Sequence, residues 1–189
     1  MQSTQEHIDQ LIESCREGSQ SAQFEIYKRY YRAMFNTALR IMQDGQEAED
    51  VMQEAFLNAF TKLDSFKGEV PFGAWLKRIV INRSLTELKK KNRMQQVSLE
   101  VVDYRLEDEE SSEGISQLDL TQAKVQEVLG AMGKLKENYR MILNLSLIEG
   151  YDNEEITRIL NISNENCRTT ISRAKSKLRK ILMESSVIN

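Results

Sequence analysis

The chain has 189 residues, and its 26 Lys and Arg against 29 Asp and Glu give a net charge of −3. That length allows one domain or two small ones, and a single proline with abundant Leu, Ile, Ala, Glu, Lys and Gln favours an all-α protein. The only histidine, His7, lies in a polar N-terminal stretch; there is no GxxxxGK[ST] loop, nucleophile elbow or metal-spaced Cys/His set, so catalysis, a metal and a cofactor are not expected.

The first element, up to about Arg16, is a short amphipathic helix carrying Ile8, Leu11, Ile12 and Cys15, stopped by Gly18-Ser19. Cys15 and Cys167 lie far apart on apolar helical positions and read as buried free thiols of a reducing compartment. No run approaches the roughly 18 apolar residues of a membrane span, and no signal peptide opens the chain, so a cytoplasmic location without membrane insertion is expected. In the second helix, with Ser21 as its expected cap, Phe24, Tyr27, Tyr31, Met34, Phe35, Ala38, Ile41 and Met42 form a wide apolar stripe.

Asp44 and Glu47 have capping-box spacing ahead of a third helix. Its apolar residues Ala48, Val51, Met52, Ala55, Phe56, Ala59, Phe60 and Leu63 keep helical spacing throughout. The opposite face holds Glu47, Asp50, Gln53 and Glu54. Acids near a helix start complement the macrodipole, which is the simpler account; an acidic docking surface for a basic helix is the alternative.

Residues 64–71 (DSFKGEVP) form a loop, and Pro71 suits the first turn of a helix running from about Phe72 to Lys91. Trp75, Leu76, Ile79, Val80, Leu85 and Leu88 mark its buried side, and Glu87 is the only acid from Lys77 to Arg93. Aromatics beside such a helix could hold unstacked bases, since base–aromatic stacking contributes about 1–3 kcal/mol per base. Trp75, at helical spacing with Leu76 and Ile79, reads instead as core, while Phe66 stays open between the two readings.

Residues 95–117 form an acidic stretch, with Arg105 opposing Glu100, Asp103, Glu107, Asp108, Glu109, Glu110 and Glu113. It buries little apolar surface and reads as a flexible linker between two helical domains, 1–94 and 118–189. Beyond it, Leu118, Leu120, Val125, Val128, Leu129 and Met132 predict one helix ending near Gly133. Tyr139, Ile142, Leu143, Leu145 and Leu147 predict another ending at Gly150.

The stretch from Tyr151 to Leu182 reads as a helix-turn-helix. Asp152 and Glu155 form a capping box, Tyr151 and Ile156 a hydrophobic staple, and Ile156, Ile159 and Leu160 an apolar face. Asn161 suits a left-handed turn residue, and Ser163 can cap the second helix. There Cys167, Ile171, Ala174, Leu178 and Ile181 share one side, and Arg168, Ser172, Lys175 and Arg179 another, with Thr169 and Arg173 beside them. No acid occurs from Arg168 to Lys180, so the net charge of the whole chain hides a segregation of sign. Such a helix fits the major groove, its N-terminal half at base edges and its C-terminal half at phosphates.

Three stretches, AEDVMQEAFLNAF, FKGEVPFGAWLKRIVINRSLTELKKK and the EG-Y-x-N-EEI…LNIS…SRAKSKLRK tail, in this order and spacing, resemble a sigma factor of bacterial RNA polymerase of the small extracytoplasmic-function type. The resemblance spans about Phe24 to Ile181 and implies roles that physical reasoning leaves open. Asp50, Gln53 and Glu54 match the family's surface for core RNA polymerase. Phe66 and Lys67 in the loop, with Lys77, Arg78, Asn82 and Arg83, match the part that melts and reads the promoter element nearest the start site, capturing a flipped base. Arg168, Thr169, Ser172, Arg173 and Lys175 match the readers of the upstream element in intact duplex. The resemblance implies partners in core RNA polymerase, double- and single-stranded promoter DNA and a separate anti-sigma factor. A plain helix-turn-helix repressor is the rival reading, distinguished by indifference to the polymerase.

Overall fold

The computed structural model describes residues 2–97 and 117–188, so the acidic linker expected over residues 95–117 lies outside the described residues except at its ends, 95–97 and 117. The chain divides into two compact units, Met1–Val101 and Val102–Asn189. Among the described residues the regular structure is entirely helical, and no helix is long and apolar enough to cross a membrane.

The first unit is built from α1 (Gln2–Arg16), α2 (Gln20–Met42), α3 (Gly45–Thr61), a 3-10 turn (Leu63–Ser65) and α4 (Phe72–Val97). Helices α2, α3 and α4 pack mutually, and α1 lies on α2. Alanines at positions 48, 55 and 59 are fully buried and let α3 approach its neighbours closely, while Met52 and Phe56 fill the space between. Where α2 meets α4 the fit is tighter still: a Cβ on Gly73 would stand 2.8 Å from the Tyr30 ring. That ring packs on Phe72 at 5.5 Å between centroids, and Phe72 also contacts Phe66 and Trp75. Such pairs contribute about 0.5–1.5 kcal/mol each beyond their area burial.

Several expectations are corrected here. Ser19, not Ser21, caps α2, accepting from the Ala22 amide, and Ser21 lies inside the helix. Phe24 is 62% exposed; the buried residues at that end are Ala22 and Ile26. Helix α2 has partners on more than one side, so its apolar residues do not mark a single stripe. Asp44 caps α3 by accepting from the Glu47 amide, but the Glu47 side chain goes to Lys91 of α4, leaving the box half made. Pro71 stands just ahead of α4, its carbonyl taking the Ala74 and Trp75 amides. Both cysteines are free and buried, and burial raises each thiol pKa; for Cys167 the neighbouring Arg168 opposes that rise.

The second unit contains α5 (Gln117–Gly133), α6 (Glu137–Leu143), which continues as a π-helical turn over Asn144–Ile148, α7 (Asn153–Leu160) and α8 (Asn164–Ile188). Met132, Leu135, Ile142, Leu143, Leu145, Ile156, Cys167 and Ala174 form its core. Val125 and Val128, expected inside, are exposed, as is Leu147. The π turn advances the register by an extra residue per turn, which a reading at 3.6 spacing does not anticipate.

Candidate nucleic-acid and polymerase interfaces

The mounting of α8 follows from local chemistry. Asp152 accepts from the Glu155 amide at 2.8 Å, and the Glu155 carboxylate accepts from the Asp152 amide at 2.9 Å, a complete capping box. Asn161 ends α7 in the left-handed region, at φ 55° and ψ 53°. The Ser163 hydroxyl accepts from the Asn166 amide at 3.2 Å and starts α8. Cys167, Ala174 and Leu178 are buried beneath α8, with Ile171 and Ile181 half-buried. Arg168, Thr169, Ser172 and Arg173 are exposed, and Lys175 is half-buried at the flank. Among the described residues no ion pair engages Arg168 or Arg173. The helix thus presents cations, hydroxyls and no bulky apolar group at its N-terminal half, the chemistry that reads base edges and phosphates.

In the first unit Asp50, Gln53 and Glu54 are exposed along α3. Leu57, 68% exposed, continues their line one turn on. The sequence offered a signal for it: Asp50, Gln53, Glu54 and Leu57 keep helical spacing on the face away from Val51 and Ala55. Across a groove of about 640 Å³ stand residues of α4. There Arg83 forms an ion pair with Glu54 and a longer one with Glu87 at 3.5 Å, while Lys90 reaches Glu87 at 3.1 Å. Lys91 binds Glu47 at 2.7 Å. The structure therefore joins two residues expected in separate roles, Glu54 for the polymerase and Arg83 for DNA. These groups are between 28% and 64% exposed, so each pair contributes only about 0.2–1 kcal/mol.

The loop between the 3-10 turn and α4 carries exposed Lys67, Gly68 at φ 75° and exposed Pro71. Asn82 is exposed on α4, and Lys77 and Arg78 are half-buried. Phe66, expected to address an unstacked base, is only 7% exposed, its ring lying against Phe72 and Trp75. The ring is buried against these two aromatics, so it is not an open stacking platform. Trp75, expected as core, is half-buried at the edge of the same cluster. A residue that sequence reasoning missed, Arg16 of α1, donates to the Phe66 carbonyl at 2.9 Å. No spacing rule links positions fifty apart.

The comparisons with known proteins agree with this layout. The family model for sigma-70 region 2 matches residues 26–94, and that for sigma-70 region 4 matches residues 125–178. The chain is 32% identical over 187 residues to the RNA polymerase sigma-H factor of Pseudomonas aeruginosa, covering 95% of each. It is 29% identical over 195 residues to the extracytoplasmic-function sigma factor SigW of Bacillus subtilis, covering 94% of this chain and 97% of that one. The fold is similar to that of the sigma factor RpoE of Bartonella quintana, solved with the anti-sigma factor NepR. There the TM-score is 0.61 at 23% identity, over 84% of this chain and 95% of that one. CnrH, solved with the cytosolic domain of CnrY, gives a TM-score of 0.55 at 24% identity, over 92% and 96%. With both regions matched in order and relatives aligned along nearly their whole length, the chain belongs to the sigma-70 family, as a sigma factor of the extracytoplasmic-function type and not an enzyme.

Proposed function

We propose that this sigma factor binds core RNA polymerase through Asp50, Gln53 and Glu54, and reads and melts the downstream promoter element with Lys67, Lys77, Arg78, Asn82 and Arg83. It reads the upstream element in duplex DNA with Arg168, Thr169, Ser172, Arg173 and Lys175. The observation that carries this reading is the exposed polar face of α8, free of acids from Arg168 to Lys180, on a fully capped helix-turn-helix. A solvated helix would not need hydroxyl and guanidinium groups gathered over its first turns, whereas a major-groove helix does. The polar line on α4 suits a single strand, because an unstacked base exposes its hydrogen-bonding edge to side chains such as Asn82. Phe66 enters this reading as a wall of the loop's base, not as a stacking partner.

The site of action is the cytoplasm, where the polymerase works. An anti-sigma factor is the expected regulator, as the RpoE relative was solved with one. The test is run-off transcription on genomic fragments with core enzyme. Discrete start sites that need both the chain and the core support the reading. Tight DNA binding without core, and no transcripts with it, would instead favour the repressor.

A further inference from the structure

The loop that precedes α4 is held at its first residue from two sides. On one side the Phe66 ring is buried, meeting Phe72 edge-on at 5.4 Å and Trp75 at 5.3 Å between centroids. On the other, one arm of the Arg16 guanidinium donates to the Phe66 carbonyl at 2.9 Å, and the other arm donates to Glu13 at 3.0 Å. The guanidinium fork is planar and rigid, so Glu13 fixes its orientation while the carbonyl takes the remaining donor. Arg16 keeps 32% of its side chain exposed, and its bond to Phe66 is partly buried. Other holds near the loop are local: Ser65 donates to the Lys62 carbonyl at 2.7 Å, and Lys67 to the Asp64 carbonyl at 2.9 Å. Beyond Phe66 the chain turns outward through Gly68, whose φ of 75° suits a residue without Cβ. A cleft of about 570 Å³ opens between α1 and this loop, walled by Asp9, Glu13 and Arg16 on one side and Lys67 and Glu69 on the other. Helix α1 lies ahead of the residues that the region 2 model matches.

We propose that Arg16, oriented by Glu13 and bonded to the Phe66 carbonyl, is a positioning residue. It sets the point from which residues 67–70 leave the protein, and so the register in which the loop meets an unstacked base. This rests on the reading above that the loop addresses single-stranded promoter DNA. The physical reason is that a loop already in its bound shape loses less conformational freedom when a ligand arrives. A surface ion pair between Arg16 and Glu13 alone would carry little weight. A charge-assisted bond to backbone in a different element constrains the loop whatever its side chains are.

The test uses the full chain bound to core polymerase and short random-sequence single strands of DNA. The wild-type holoenzyme first enriches a preferred strand, which then serves as the labelled probe. Arg16→Ala should weaken binding of that strand about tenfold, the size expected for one lost charge-assisted bond, and flatten the preference at one base. Arg16→Lys, which can still donate to the carbonyl, should recover part of both. Affinity for core and for duplex upstream DNA should stay at wild-type values, and the melting temperature should fall by no more than the few degrees that one lost bond costs. Arg16→Ala binding the strand as the wild type does would overturn the inference. So would a loss spread equally over strand, duplex and core, which marks a structural bond only. A wild-type holoenzyme that enriches no strand would instead overturn the reading of the loop itself.

Discussion

Helices α4 and α8 each bury one face and load the other with Lys and Arg, yet cations along α4 meet carboxylates while Arg168 and Arg173, in the first half of α8, do not. Among the described residues the ion pair of α8 lies near its far end, between Lys180 and Glu184. Arg83, Lys90 and Lys91 are paired with Glu54, Glu87 and Glu47. Arg168 and Arg173 are exposed on a helix whose first acid after them is Glu184. The contrast shows that a basic composition does not by itself make a DNA surface. On α8 the charge is presented; on α4 part of it is held by α3, and phosphates must exchange with carboxylates to reach it. Because Glu54 also faces the proposed polymerase surface, any partner that engages Glu54 competes with Arg83 for it.

The strongest way to break this contrast is at the acidic side. Asp50→Arg with Gln53→Arg reverses one charge and adds another at two exposed positions without touching the Glu54–Arg83 pair. It should weaken core binding at least about a hundredfold, as like charges oppose across an interface. Co-purification with core at wild-type yield would reject that surface. A Glu54→Arg change is a poorer probe because it would set two guanidinium groups against each other.

On α8 the effect should be smaller and local. Arg173→Ala should cost about 1–3 kcal/mol at one upstream base pair and little elsewhere, measured by binding to a panel of single-base variants. An equal loss on every sequence would mean that Arg173 meets only phosphate.

The smallest effect sharpens the comparison. A double-mutant cycle between Glu54→Gln and Arg83→Gln, read by thermal unfolding, should give a coupling of about 0.2–1 kcal/mol, diminished by salt. No coupling at low salt would mean that α4's charges are as free as those of α8.

What could be read in advance divides along physical lines. The helix-turn-helix was legible because its determinants are local: Asp152 and Glu155 cap within three residues, Asn161 takes the left-handed turn, and Ser163 starts α8. The regular face of α3 was legible because one side of it is buried and the other is not. Phe24 misled because α2 is packed on several sides, and Val125 because aliphatic spacing does not say whether a partner helix is there. The Glu54–Arg83 pair and the Arg16–Phe66 bond are tertiary and leave no local pattern. Phe66 is an aromatic in a loop beside a basic helix, which chemistry alone leaves equally suited to core or to base stacking.

The most direct measurement is a combined footprint of the holoenzyme on a promoter it transcribes, with permanganate for unpaired thymines and nuclease protection for the upstream duplex. Wild-type holoenzyme should show both signals. Arg78→Ala with Asn82→Ala should remove thymine reactivity near the start site while upstream protection persists, and Arg168→Ala with Arg173→Ala should weaken upstream protection first. Loss of both signals together in either variant, or no unpaired thymines with the wild type, would contradict the assignment of α4 to melted DNA and α8 to paired DNA.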